Sequence, residues 1–353
     1  MIWVTWRQYR TTILAAVGGI LALTVVAVVS GEIVRGSEGR RAFGTFFGCV
    51  PGGGSNQCWA ESSLTAISTL AAILPVVLGA FVGVTVFSRD IERGTHVLGL
   101  TQSVSRTRWY WSRVLVVFVP VTIAGVMLGS VLEVDTFGEY RESALRIRPQ
   151  QLRRLFTPDV PLFQSTGIVV GAYTLLALIL GSAIALLLRN TLGSMVVTLI
   201  AMAALMVGFQ FEVRPQYTTP VVESQPLGYL SHAVVYTPDI EPVWILNSGY
   251  VDADGRSVDM DYFACDQEGV ENTWEQRPDE TFAEYEARQD VISAEQEREF
   301  IACQRAQGID HFETRYHPDS LLRRFQLTEA ALALALSALL LIPSLWALRR
   351  LRP

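Results

Sequence analysis

The sequence predicts an all-α integral membrane protein that crosses the bilayer six times. Half of its 353 residues are hydrophobic and 18% are charged. Six separate stretches are apolar and long enough to cross a hydrocarbon core, which takes about 20 helical residues. Helices are favoured as the spanning structure because lipid offers no partner for the open edge of a sheet. The stretches are 13–29, 64–87, 114–132, 165–188, 192–211 and 327–347.

Two roles fit the first apolar stretch. An arginine-bearing start and small residues behind the apolar part are also typical of a cleaved signal peptide. The length of the stretch favours a retained span, and Trp3 and Trp6 are typical of anchors at the membrane surface. These tryptophans lie three residues apart, as do Arg7 and Arg10, so "MIWVTWRQYR" predicts a short amphipathic helix ahead of the first span.

All 28 basic residues are arginine. A nucleotide-binding loop of the G-x-x-x-x-G-K-[ST] type needs a lysine that reaches the phosphates. We therefore expect a chain without an ATPase site of its own and without a bound cofactor. The absence of lysine from the sequence also excludes a catalytic lysine.

Ionisable residues are nearly absent from the predicted spans. They hold one carboxylate, Glu329 in the first turn of the last span, and no histidine. Proton-coupled carriers place such groups at membrane depth, and an intramembrane metalloprotease needs metal ligands there. The sequence favours neither class.

The distribution of arginine predicts that both termini are cytoplasmic. With that orientation, inner segments of 46 residues in total hold 11 of the 28 arginines, as the positive-inside rule expects. The outer segment 140–156 is also rich in arginine, but nearby carboxylates offset it. We expect a multi-pass protein of the plasma membrane in three parts. Residues 1–211 hold the amphipathic helix and spans 1–5, residues 212–326 form an acidic extracytoplasmic domain, and residues 327–353 hold span 6 and a cytoplasmic tail.

The predicted outer domain, 212–326, holds 23 of the 34 carboxylates against nine arginines. Within it, residues 278–308 carry aromatic and aliphatic side chains three and four positions apart, which predicts a helix. Proline and glycine recur through 214–255, which predicts loops with a few short strands or turns. The alternating carboxylates of "DADGRSVDMD" (252–261) lack the twelfth-position acid of a calcium loop, which favours ordinary loop acidity.

Four cysteines, Cys49, Cys58, Cys265 and Cys303, all fall in the predicted outer segments. Four cysteines allow three pairings, and the local one, Cys49–Cys58 with Cys265–Cys303, is the simplest. An oxidising exterior favours disulfides, with free buried cysteines as the alternative. We expect no metal site, because the spacings are wrong for zinc.

Three further stretches complete the pattern. They are "SRDIERGTHVLGLTQSVSRTRW" (88–109), "RNTLGSMVVTLIA" (189–201) and "YHPDSLLRRFQLTEAALALAL" (316–336). Together with the N-terminal stretch they resemble the membrane subunit of a type-2 ABC transporter, in a permease group common in actinobacteria. The block at 88–109 is the most specific. In the last stretch, residues 321–324 stand where the group has a more aromatic segment.

The resemblance implies two six-helix permease subunits, identical or different, in the lipid bilayer above two ATPase subunits. ATP and Mg²⁺ belong to those ATPases, and no nucleic acid is a partner. The resemblance implies an elbow helix with Trp3, Trp6, Arg7 and Arg10. It also implies a coupling helix that touches the ATPase through Arg89, Asp90, Ile91, Glu92, Arg93, Thr95 and His96.

The residues of the coupling segment suit that role. "SRDIERGTH" can form one or two helical turns that begin near Asp90 and end at Gly94. Asp90, Glu92 and Arg93 are expected to form charge-assisted hydrogen bonds with the ATPase. The alternative is a solvated loop that only sets the orientation of the chain.

Two functions of different classes follow. The first is a permease that exports a hydrophobic or amphipathic compound, a lipid or a peptide, driven by ATP hydrolysis in a separate subunit. The alternative is a membrane-anchored sensor or assembly protein that acts through its extracytoplasmic domain. A membrane enzyme is favoured least, because the outer segments contain neither G-x-S-x-G nor H-E-x-x-H.

Overall fold

The computed structural model describes residues 2–35, 44–45, 48–49, 56–94, 105–143, 162–228, 243–265 and 275–350. The chain divides into two compact units. The membrane unit is Met1–Thr218 with Ser320–Pro353, and the inserted unit is Thr219–Asp319. The inserted unit lies within the segment 212–326 that the sequence singled out.

Six helices of the described residues are long and apolar enough to cross a membrane, which confirms the predicted fold class. We number these spans 1 to 6: Ile2–Arg35, Cys58–Glu92, Arg106–Val134, Val169–Leu188, Thr191–Gln216 and Leu322–Arg349. The helix of span 2 begins two residues earlier, at Asn56, and the helix of span 3 continues to Ser143. A short helix, Leu162–Ser165, precedes span 4. A short hairpin pairs β1 (Gly44–Thr45) with β2 (Gly48–Cys49).

Three spans contain a short π-helical segment: Gly79–Gly83, Val114–Phe118 and Phe209–Val213. One extra residue in a helix turns the side chains that follow by about 100°, because each residue of an α-helix turns by that angle. Such segments are frequent at functional sites and are recognised points of helix bending. The second segment begins directly after Arg113, and the third ends directly before Arg214.

The predicted N-terminal amphipathic helix does not form a separate element. Residues 2–10 are the first turns of span 1, which runs unbroken as Ile2–Arg35. No proline or glycine interrupts residues 7–13, so nothing in the sequence breaks the helix there. The amphipathic pattern itself is present, since Thr5, Tyr9 and Ile13 are buried on one face while Trp3 and Trp6 are exposed.

Span 4 is the central helix of the membrane unit, and almost all of its residues are buried. Glycines let its neighbours approach closely. A Cβ on Gly181 would lie 2.3 Å from the Gly79 carbonyl oxygen of span 2. A Cβ on Gly129 of span 3 would lie 2.1 Å from the carbonyl oxygen of Gly167, two residues before span 4, and 2.9 Å from the Val170 side chain. Only glycine fits at such contacts, so these positions fix how spans 2 and 3 pack on span 4.

The inserted unit pairs a four-stranded antiparallel sheet with a long helix. The strands are β3 (Val221–Gln225), β4 (Val243–Val251), β5 (Ser257–Val258) and β6 (His311–Pro318), in the order β3-β6-β4-β5. The helix Phe282–Ala306 confirms the helix predicted for 278–308, and Thr281 and Glu284 form a capping box at its start. A second, short helix is Tyr262–Cys265. The small apolar core of the inserted unit contains Leu227, Tyr250, Ile309 and Phe312.

Candidate functional site

One end of the membrane unit carries the start of span 1 and the end of span 6, and we call it the terminal end. There the Arg106 guanidinium of span 3 donates to the Arg349 carbonyl of span 6 at 2.7 Å. The backbone N–H of Thr191 in span 5 donates to the Glu92 carboxylate of span 2 at 2.6 Å. Four spans therefore meet through polar contacts at this end.

A buried arginine ties three spans together at the terminal end. Arg113 of span 3 is 5% exposed, and it donates to the Val86 carbonyl of span 2 at 2.6 Å and to the Asp90 carboxylate. Its guanidinium lies 4.0 Å from the ring centroid of Trp109. Tyr9 of span 1 donates to the same Val86 carbonyl at 2.8 Å. We call Tyr9, Val86, Asp90, Trp109 and Arg113 the terminal clasp.

The turn between spans 4 and 5 is held from two sides. Arg189 adopts the left-handed conformation at the end of span 4, with φ of 54°. The Asn190 side chain then accepts from the Gly193 N–H at 2.7 Å, as an N-cap does. The Glu92 carboxylate accepts from the backbone N–H of Thr191, the first residue of span 5. The helix dipole favours a negative charge at this position. Glu92 therefore serves as a cap for span 5.

The predicted coupling residues divide into two groups. Asp90 and Glu92 bond other spans of the same chain, and Ile91 packs against the apolar core. Arg89 and Arg93 lie four residues apart on the exposed side of the same helix, Thr85–Glu92, and the turn after it. Among the described residues neither forms an ion pair or a side-chain hydrogen bond. Thr95 and His96 lie outside the described residues.

The predicted elbow residues are all exposed. The Arg7 guanidinium lies 4.8 Å from the ring centroid of Trp3, and Trp6 and Arg10 complete the exposed side of the first turns of span 1. Exposed tryptophan and arginine side by side suit the interface between acyl chains and headgroups.

The opposite end of the membrane unit holds a second buried arginine. Arg214 at the end of span 5 and Glu329 of span 6 form a bidentate ion pair, with N–O distances of 2.9 and 2.8 Å, and both side chains are fully buried. The hydroxyls of Tyr173 and Tyr217 donate to the same carboxylate at 2.6 and 3.2 Å. The Arg214 guanidinium lies 3.9 Å from the Phe163 ring centroid.

The position of this pair corrects one expectation. Glu329 is not in the first turn of the last span, because that helix begins at Leu322, two turns earlier. It lies 20 residues, or about 30 Å of helix, from Arg349 at the terminal end. One hydrocarbon thickness therefore separates the two ends, and the spans contain a buried charge pair that apolar composition conceals.

The cysteines of the inserted unit are paired as predicted. Cys265 and Cys303 form a disulfide that joins the short helix Tyr262–Cys265 to the long helix. Cys58 is also disulfide-bonded, and the side chain of its predicted partner, Cys49, lies outside the described part of the chain. Among the described residues no group of histidine, cysteine and carboxylate side chains is arranged to hold a metal ion.

A family model described as "ABC-2 membrane transporter related" matches residues 17–214, more than half of the chain. The chain belongs to this family. It is a permease subunit of an ABC transporter, and the family implies a separate ATPase as its partner. No curated protein and no solved structure gave a significant match. The matched region of the permease runs from the middle of span 1 to the buried Arg214.

Three polar residues that link the spans of the permease give little signal in the sequence. Arg113 is one of the inner arginines, and it stands between "WYW" and an apolar run, where a charge is desolvated. Arg214 falls in the predicted outer segment because the apolar stretch ends at 211. Tyr9 carried no signal beyond its spacing from Thr5 and Ile13.

Proposed function

We propose that the chain is one permease half of an ABC exporter whose terminal end faces the cytoplasm. Two observations support this orientation. Arginine is concentrated in the segments at the terminal end, as the positive-inside rule expects. The inserted unit carries a disulfide, which forms and persists in an oxidising compartment outside the cytoplasm.

The exposed pair Arg89 and Arg93 carries the proposal. Both guanidiniums are presented by a helix that Asp90 and Glu92 fasten to spans 3 and 5. Asp90 and Glu92 already accept hydrogen bonds from other spans of the permease. Arg89 and Arg93 are therefore the charged side chains of this segment that can bind a partner. They suit carboxylates on the ATPase, because guanidinium–carboxylate hydrogen bonds are strong and directional.

The complex we propose contains two permease subunits, identical or different, and two ATPase subunits that bind ATP and Mg²⁺. The spans support a hydrophobic or amphipathic cargo, a lipid or a peptide. In the described part of the spans the fully enclosed charge pair, Arg214 with Glu329, is neutral as a whole, so it offers no net charge to an ionic substrate. ATP hydrolysis in the partner drives export away from the terminal end.

The docking face is tested by removing its charges. The double variant Arg89→Gln/Arg93→Gln is expressed with the partner ATPase, purified in mild detergent and compared with Arg323→Gln/Arg324→Gln. The control removes two exposed adjacent arginines from the opposite end of the membrane unit. We expect the first variant to reach the membrane at normal levels and to lose the ATPase during purification, while the control keeps it. Equal retention of the ATPase by both variants would contradict this docking face.

The inserted unit supports a second candidate function, that of a sensor or assembly protein. It has its own apolar core, a capped helix and a disulfide. This candidate predicts that the wild-type chain purifies without an ATPase but with a partner bound to residues 219–319. Mass spectrometry of the purified complex distinguishes the two functions.

A further inference from the structure

We infer that Arg113 is a positioning residue that joins the ends of spans 1, 2 and 3 into one rigid terminal block. This inference rests on the proposed function, because the block is what the ATPase would push. Its boundaries follow from the chain itself. In span 2 the clasp residues Val86 and Asp90 follow the π segment Gly79–Gly83. In span 3, Arg113 directly precedes the π segment Val114–Phe118.

The contacts of Arg113 are concentrated on the neighbouring spans. Its fork of donors reaches a backbone carbonyl and a carboxylate one turn apart on span 2, at Val86 and Asp90. Aromatic rings of spans 1 and 2 lie near the guanidinium, at 5.3 Å for Tyr9 and 5.7 Å for Phe87. A single-point ammonium does not reproduce such a planar, bidentate contact, so lysine is a poor substitute.

Span 1 is fastened to the same two acceptors. Tyr9 shares the Val86 carbonyl with Arg113, and its hydroxyl also lies 3.5 Å from the Asp90 carboxylate. The Gln8 amide donates to both Asp90 oxygens at 3.3 Å. Asp90 is flanked by the docking residues Arg89 and Arg93, so a displacement of the docking helix acts directly on the clasp. The three span ends therefore move together as long as Arg113 holds span 3 to Asp90.

The π segments give this block its hinges. A π segment interrupts the regular hydrogen-bond ladder and is one of the recognised causes of helix bending. Spans 2 and 3 each have one at the edge of the terminal clasp. The geometry thus places bending at residues 79–83 and 114–118, while residues 2–11, 85–92 and 106–113 keep their arrangement.

Two spin-label distances test this arrangement in the complex with its ATPase in nanodiscs. Thr11→Cys with Thr107→Cys, both exposed, reports within the block, and Thr107→Cys with Val134→Cys reports across the hinge of span 3. The native cysteines do not interfere, since none in the described chain is free. Each distance is measured without nucleotide and after trapping with Mg·ATP and vanadate. We expect the first distance to stay constant and the second to change.

In Arg113→Gln, we expect the distance between positions 11 and 107 to change on trapping. The ATPase should still co-purify, because Arg89 and Arg93 are intact. Arg108→Gln, which removes an exposed arginine from the same helix, is the matched control and should behave as the wild type. If Arg113→Gln does not accumulate, Asp90→Asn replaces it, since that variant keeps the bond from Arg113 to Val86.

Three results would overturn the inference. In the wild type, these are a distance between positions 11 and 107 that changes on trapping, or a distance between positions 107 and 134 that does not change. The third is a distance between positions 11 and 107 that stays constant in both Arg113→Gln and Asp90→Asn. Loss of the ATPase from the wild-type chain would instead contradict the proposed function.

Discussion

The two ends of the membrane unit each bury one arginine beside a π segment, but they enclose it differently. At the terminal end, the carboxylate partner of Arg113 keeps 14% of its side chain exposed, and a backbone carbonyl shares the guanidinium. At the opposite end, Arg214 and Glu329 are both fully buried, and two tyrosines complete the coordination of the carboxylate. The first arrangement has access to water, and the second has none.

This difference decides how strongly each joint responds to the loss of one partner. A carboxylate near water is rehydrated when its partner is removed, so the terminal clasp should tolerate such a loss better. A fully buried pair leaves an uncompensated charge in apolar surroundings when one partner is lost. The pair at the opposite end therefore specifies that spans 4, 5 and 6 stay together, with Tyr173 contributed by span 4.

The largest effect is expected for Glu329→Ala. The variant leaves the Arg214 guanidinium buried without a counter-charge, which destabilises a protein by about 3–5 kcal/mol. The purified permease should unfold at a clearly lower temperature in detergent, as followed by tryptophan fluorescence. Unfolding at the wild-type temperature would mean that water reaches Arg214.

Replacing both partners sharpens the same comparison. Arg214→Met with Glu329→Leu removes the two charges and keeps most of the side-chain volume. Exchanges of buried ion pairs for apolar residues are often neutral or stabilising by about 1–4 kcal/mol. We expect the double variant to unfold later than Glu329→Ala, although the Tyr173 and Tyr217 hydroxyls lose their shared acceptor. A double variant as unstable as the single one would show that the pair itself, and not charge compensation, holds the spans.

A smaller loss is expected for Asp90→Asn at the terminal end. The variant keeps the hydrogen bond from Arg113 to Val86, and the partly exposed site is screened by solvent, so we expect about 1 kcal/mol. Thermal unfolding beside Glu329→Ala measures the difference. Equal destabilisation by the two variants would remove the distinction between the two ends.

The smallest effect is expected in the inserted unit, where Arg288 forms a bidentate pair with Glu280 at 2.7 and 2.8 Å. The hydrogen bond from Arg288 lowers the pKa of Glu280 from 4.5 to about 2. The depressed pKa means that this stabilisation is present above pH 4.5 and is lost as the pH falls through about 2. Calorimetry should show a slightly weaker acid dependence for Glu280→Gln than for the wild type, and an identical dependence would contradict the pairing.

Local patterns predicted much of this structure. Hydropathy over some 20 residues gave the six spans, because every residue of such a helix contributes to the signal. The helix Phe282–Ala306 followed from apolar spacing, a signal that lies within the helix itself. The Cys265–Cys303 disulfide followed from placing both cysteines in one segment.

Long-range contacts escaped for a physical reason. Arg214 and Glu329 are 115 residues apart, and nothing near either residue reveals the other. The π segments turn the side chains that follow them without altering composition, so apolar periodicity does not detect them. Strand β6 pairs with β3 and β4 from distant parts of the chain, so its partners cannot be read from its own sequence. The separate elbow helix was expected from residue spacing alone, which does not show where a helix ends.

The most direct test of the account is a site-specific cross-link in intact cells. A benzoylphenylalanine is placed at Arg93, on the proposed docking face, and in a second strain at Arg323, at the opposite end. Each strain is irradiated, and the cross-linked partners are identified by mass spectrometry. The account predicts that the probe at position 93 captures a P-loop ATPase and that the probe at position 323 does not. Capture of the ATPase from position 323, or from neither position, would contradict the claim that the terminal end is where energy enters the permease.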